Sequence, residues 1–167
     1  RKFKPAFSGC AQHACGLAQM HDIGFVAAIR EVDGKLQRGF IIVVGGGLGP
    51  VPRQARTLTE FAPVEEMLPL TQAVCRVYGK HGEKKNRNAA RIKFLIDKWG
   101  IDKFREEVFV ARQELRADPR WLDMLTGAEQ AAEGPLHPPG ELPTVNGNEK
   151  LREWIKCNIR DQRQTGY

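Results

Sequence analysis

A chain of 167 residues is long enough for one domain, or for one compact unit plus an arm. Its 41% apolar content promises a core of modest size, and it has no run of about eighteen apolar residues, which excludes a membrane-spanning helix. A formal charge of +6 points to acidic partners such as nucleic acid, phosphates or a carboxylate-rich cofactor.

The first residues, RKFKPAFSG, have neither an initiator methionine nor the apolar stretch of a secretory signal. The chain therefore reads as cut from a longer, cytoplasmic protein without a membrane partner. Four cysteines in such a composition are expected as reduced thiols or metal ligands rather than as a disulfide framework.

Lys2 to Phe7 reads as a short strand in which Pro5 marks an edge or a bulge. The apolar runs Ile23 to Ile29 and Phe40 to Val44, joined through Asp33-Gly34, predict a β-hairpin. Pro63 followed by Glu65 and Glu66 is a helix start. Met67, Thr71, Val74, Cys75 and Tyr78 keep helical spacing, with Pro69 expected to break the segment and the main helix to begin there. Ala89 to Trp99 and Asp102 to Leu115 repeat the pattern on either side of Gly100. Residues 133–148, rich in proline and glycine, read as a linker or extended arm. Strands over 1–48 and helices over 62–115 thus form a first unit, 1–115, followed by a helical segment, linker and C-terminal arm over 116–167. The fold class is α+β. Trp99, Trp121 and Trp154 fall in helical contexts, as core or docking anchors.

The stretch SGCAQHACGLAQMHDIGF, residues 8–25, gathers two thiols and two imidazoles. Cys10 and Cys15 are separated by four residues, but Cys75 and Cys157 stand alone, so a complete four-ligand zinc site is not expected. The pair is open to three readings: small residues packed in a turn, a nucleophile with a histidine base, or part of a small metal-binding domain. His13 and His21 read as hydrogen-bonded packing residues. GGGLGP at 45–50 lacks the G-x-G-x-x-G spacing of a nucleotide loop, although glycines after a strand let backbone approach a flat cofactor closely. Between Arg76 and Lys93, seven Lys or Arg stand against one Glu, as a solvated face or a nucleic-acid patch would. Tyr78 is the one aromatic near its start, which counts against single-strand stacking.

Taken in order, "RKFK", Ser8-Gly9-Cys10 with Cys15, "HDIGFVA", "GFIIVVGGGLG" and "EKKNRNAARIKFL" resemble the first sirohaem-binding half of the nitrite/sulfite reductases. The resemblance is strong from Arg1 to about Arg112 and looser to Tyr167. One departure is the spacer between the cysteines, one residue longer than the family's turn. The resemblance implies an antiparallel-sheet half-domain, with sirohaem and a 4Fe-4S cluster as cofactors. It implies six-electron reduction of sulfite to sulfide or of nitrite to ammonia, with electrons from ferredoxin or a flavoprotein reductase.

The resemblance also places Lys2 and Lys4 at the substrate side, as catalytic and cofactor-binding residues; alternation along a strand would point both to one face. It sets Arg1 and Arg91 near the macrocycle's carboxylates, and Gly46 and Gly47 where backbone passes close to it. Cys10 and Cys15 would occupy the pseudo-symmetric image of the cluster turn without binding metal, the cluster ligands lying in the remaining half of the protein. The isolated piece is then expected to be inactive. The rival from another class is a non-catalytic basic module binding nucleic acid or phosphate; the reductase reading expects no nucleic acid.

Overall fold

The computed structural model describes residues 2–9, 16–49, 51–130 and 140–159. Arg1, Cys10, His13 and Cys15 lie outside the described residues, as do residues 133–139 of the predicted linker. Two compact units are present, Arg1–Leu125 and Thr126–Tyr167.

The first unit is built on a four-stranded sheet in the order β1 (Pro5–Ser8), β2 (Ile23–Val32), β3 (Lys35–Val44) and β4 (Arg56–Pro63). β2 and β3 form the expected hairpin, paired from Ile23 opposite Val44 to Val32 opposite Lys35. Asp33 and Gly34 both have positive φ, 52° and 72°, the backbone of a two-residue turn whose twist matches the strands it joins. β1 runs parallel to β2, with Pro5 opposite Ile23 and Ser8 opposite Val26. The sheet is therefore mixed, where a wholly antiparallel one was expected. The connection from Gly9 to Asp22 is long enough to carry the chain back to the starting end of the sheet, which a parallel pair requires. β1 is an edge strand and begins at Pro5, three residues later than the predicted strand; at an edge the missing proline N–H costs no ladder bond. β4 has no counterpart among the predicted strands. Leu58 and Ala62 are its buried residues, too few to announce a strand.

Three helices cover one face of the sheet: α1 (Met67–His81), α2 (Ile92–Trp99) and α3 (Ile101–Gln113). Pro69 sits inside the first turn of α1 and does not delay its start, because the first N–H groups of a helix have no intrahelical acceptor to lose. The buried face of α1 is Leu70, Ala73, Val74 and Val77, so Cys75 of the predicted stripe is turned outward and exposed. α2 starts at Ile92 rather than Ala89, since Arg91 is extended (φ −143°, ψ 155°) at its N-cap. Gly100, at φ 80°, ends α2 and lets α3 follow at once.

The core joins Ile23, Phe25, Ile42, Val44 and Leu58 of the sheet to the inner faces of these helices, with Phe104 and Val108 of α3 fully buried. Arg105 of α3 ties the layers together, its Nε and Nη2 donating to the carbonyl oxygens of Leu58 (3.0 Å) and Thr57 (2.9 Å). α4 (Arg120–Gln130) follows α3. In the second unit, α5 (Glu149–Asn158) is capped by Asn148, whose Oδ1 accepts from Leu151 N–H at 3.1 Å. Among the described residues no helix is long and apolar enough to cross a membrane.

Phe104→Ala would leave a large cavity at the centre of this core. The expected loss is about 3–5 kcal/mol of stability, read as a shift in the urea midpoint.

Candidate cofactor and anion site

The site is organised around Asp22, the residue immediately before β2. Its side chain is 1% exposed, so as a carboxylate it must be paired where it lies. Arg91 supplies the pairing in two-pronged form, Nε to Oδ1 at 3.1 Å and Nη2 to Oδ2 at 2.8 Å. Lys4 adds its backbone N–H to Oδ2 at 3.1 Å. The Asp22 carbonyl oxygen in turn accepts from Gly45 N–H at 2.9 Å. Three segments distant in the sequence therefore meet at one acid: the Lys2–Lys4 lead-in, the glycine turn after β3, and the N-cap of α2.

The glycine turn fits this arrangement through the chain itself. A Cβ on Gly46 would collide with the carbonyl oxygens of Gln19 and His21, and the Gly46 carbonyl oxygen accepts from Arg91 Nη2 at 3.5 Å. A Cβ on Gly47 would lie 2.7–3.0 Å from the Arg91 guanidinium. The close approach that the sequence assigned to a flat cofactor is thus already made, by the 3-10 turn Ala18–Met20 and its flank on Gly46 and by Arg91 on Gly47.

In front of Arg91 opens a hollow of about 540 Å³ whose wall includes Lys2, Arg87, Arg91, Lys93, Val51 and Phe94. A smaller hollow of about 340 Å³ is lined by Lys2, Arg87, Ala90 and Arg91. No carboxylate belongs to either wall among the described residues. The structure thus brings Lys2 and Arg91 together over the glycine turn. Lys4 enters through its backbone; its side chain is exposed and lines neither hollow. Because β1 begins at Pro5, both lysines precede the strand whose alternation was expected to align them.

Lys93 was read as one member of a basic run, yet it is 3% exposed. Its Nζ donates to the carbonyl oxygen of Val51 at 2.6 Å and lies 3.5 Å from that of Leu48, latching the loop after the glycines to α2. Burial pushes its pKa below the ordinary lysine value, and the nearby Arg91 and Arg53 push it further down. Arg76 faces Glu114 at 3.8 Å, so Arg76, like Arg91 and Lys93, holds a partner inside the first unit. They do not form one open basic face.

Sequence reasoning missed Asp22 as the node and Lys93 as the latch. The available signal was the position of Asp22, an acid directly ahead of the apolar run IGFVAA. His21 behaves as expected, its Nδ1 donating to the Leu17 carbonyl oxygen at 2.9 Å. Trp99 packs partly buried against the core, Trp121 donates from Nε1 to Gln72 at 3.2 Å, and Trp154 is exposed on α5.

The first unit is thus a small mixed sheet backed by helices, with cations gathered beside a glycine turn. The solved structure of the Mycobacterium tuberculosis NirA protein superposes on 75% of this chain with a TM-score of 0.52 and 28% identity, this chain covering 20% of it. The family model for the nitrite and sulphite reductase 4Fe-4S domain matches residues 1–116, and the chain belongs to that family. Among curated relatives, the assimilatory ferredoxin-dependent nitrite reductase of Haloferax mediterranei is 38% identical over 110 residues, 65% of this chain and 19% of that protein. Sulfite reductase [ferredoxin] 1 of Mycolicibacterium paratuberculosis is 36% identical over 106 residues, 64% of this chain and 18% of that protein. The chain thus spans about a fifth of the length of the relatives it matches.

The two cofactors of the family fit the described residues differently. A 4Fe-4S cluster takes four thiolates. The described cysteines are Cys75 on α1 and Cys157 on α5, in different units, and no three His, Cys, Asp or Glu gather among the described residues. A carboxylate-rich macrocycle fits better, because the hollow beside Arg91 offers ammonium and guanidinium donors.

The lowered pKa of Lys93 has a sign that can be tested. Between its folded value and the ordinary lysine value the unfolded chain binds more protons, so stability rises with pH in that window and is depressed below it. Lys93→Met abolishes this dependence. The urea midpoint of the wild type should gain on that of Lys93→Met as pH approaches the lysine range.

Proposed function

We propose that the chain is part of a sirohaem-dependent nitrite/sulfite reductase carrying out the six-electron reduction of sulfite to sulfide, or of nitrite to ammonia. The supporting observation is the cationic hollow of Lys2, Arg87, Arg91 and Lys93 in a chain of this family. A polycarboxylate macrocycle and a small oxyanion both call for fixed positive charge in one place.

Lys2, Arg87 and Arg91 would hold the macrocycle's carboxylates, with Arg1 and the Gly46–Gly47 turn alongside. When bound, sirohaem supplies the iron at which the anion is reduced, fed with electrons by a 4Fe-4S cluster that the rest of the protein would hold. The chain's own part is ionic. The ammonium groups of Lys2 and Lys4 bind the anion's oxygens, and each Nζ carries protons that can pass to an oxygen as negative charge builds there. The relatives named as ferredoxin-dependent support ferredoxin as donor. One relative, the sulfite reductase [NADPH] hemoprotein beta-component of Acidithiobacillus ferrooxidans, 36% identical, is named for NADPH and so leaves a reductase, in place of ferredoxin, as the second candidate donor. A cytoplasmic location accords with both donors. The burial and internal partners of Arg91 and Lys93 weaken the nucleic-acid alternative, which needs those cations outward.

Lys4→Met in the full-length protein should keep the sirohaem absorption bands and lower turnover at saturating sulfite by roughly tenfold or more, about 1.4 kcal/mol of barrier. Unchanged turnover with sirohaem intact would exclude Lys4 from the reaction; lost sirohaem would make it a cofactor ligand.

Replacing both Cys10 and Cys15 with Ser in the same protein should leave iron and acid-labile sulfide content unchanged. Loss of the cluster would make these thiols its ligands.

A further inference from the structure

Asp22 has no place among the expected site residues, yet three donors from two segments converge on its carboxylate. At 1% exposure it cannot meet an anion, and as a carboxylate it would repel one, so any part it has in the reaction runs through its neighbours. We infer that Asp22 is the positioning residue of the anion site, fixing where the lysines of the lead-in and the Arg91 guanidinium are presented; this rests on the reductase reading above.

The lead-in is held by two anchors. Phe3 packs partly buried against the core, and Lys4 N–H donates to Asp22 Oδ2 at 3.1 Å. The Lys4 carbonyl oxygen also accepts from Ile23 N–H at 3.3 Å, so the acid and the residue after it grip both polar groups of one peptide segment. On either side of Phe3 the Lys2 and Lys4 side chains stay exposed. Arg91 is fixed along one edge, since Nε and Nη2 both donate to Asp22 (3.1 and 2.8 Å), and Gly47 leaves room against the guanidinium. An ionised acid suits this place better than an amide. Lys2, Arg87, Arg91 and Lys93 repel one another across the hollow, and the buried negative charge behind Arg91 offsets part of that repulsion. Displacing a binding group by about 1 Å can slow a reaction a hundredfold.

The test uses the full-length, sirohaem-loaded protein. Asp22→Asn keeps the shape but removes the charge and turns one acceptor into a donor facing N–H groups. Gly47→Ala keeps the Asp22 carboxylate and crowds the Arg91 guanidinium that it holds. For each variant, hydrogen exchange of the Lys4 amide is measured together with turnover per bound sirohaem and the KM for sulfite. Asp22→Asn should speed Lys4 amide exchange at least tenfold. Both variants should lower turnover per sirohaem about tenfold while KM changes less. A merely structural role would reduce the yield of folded, loaded protein and leave turnover per sirohaem alone; that result, with the Lys4 amide as protected as in the wild type, overturns the inference. If Asp22→Asn does not fold, Gly47→Ala decides on turnover. Silent Asp22 and Gly47 variants beside an impaired Lys4→Met defeat this inference only, whereas a full-length protein that binds no sirohaem defeats the reading beneath it.

Discussion

A buried carboxylate that must be paired is the constraint on which the first unit depends. Asp22 stands where the chain enters its central hairpin, out of contact with water, and Arg91 answers it from sixty-nine residues away. Removing one partner of such a pair strands a charge in the interior, typically at a cost of about 3–5 kcal/mol. The requirement fixes more than two side chains. The pairing goes with an extended Arg91 at the N-cap of α2, and the seat of its guanidinium keeps position 47 free of a side chain. It also draws the lead-in against the sheet by a backbone N–H, which any residue at position 4 except proline could supply.

Charge is then distributed by depth. Arg91 and Lys93 spend donors on the chain itself, one on a carboxylate and the other on loop carbonyls, while Lys2 and Arg87 are exposed at the rim. Lys93 is spent on the loop, Arg91 both sets geometry and faces the hollow, and the outer cations are wholly available to a ligand. Arg112 and Glu66 repeat the inner pattern elsewhere in the unit, with two contacts of 2.7 Å that join α3 to the turn before α1. Ionic interactions across long sequence separations are therefore a general device in this small layered structure, whose apolar core supplies no such directionality.

How much of this was legible in the sequence follows from the range of each interaction. The β2–β3 hairpin was, because two β-branched runs and an Asp-Gly turn carry a local signal. The helices were, within a few residues at their starts, and the misplaced start at Pro69 came from treating a first-turn proline as a mid-helix one. β4 was not, since RTLTEFAP buries only Leu58 and Ala62 and owes its strand form to pairing with β3. The direction of β1 was not either, because strand sense depends on where the connection leads and not on strand composition. In the site, Lys2 and Arg91 were marked as cations, but nothing local distinguishes a rim lysine from the buried Lys93. The partner of Arg91 lies too far off in sequence for any periodicity to find it.

The separation between Asp22 and Arg91 also orders events in time. A hairpin closed by a two-residue turn forms within about 1–10 μs, and helices form faster still, whereas contacts between distant segments must first overcome the entropy of closing large loops. The parallel pairing of β1 and the joining of Asp22 to Arg91 are both of the distant kind. The hairpin is thus complete while the lead-in is still loose and the buried acid still hydrated. The cationic hollow needs both of these distant contacts, so it cannot be complete before they form.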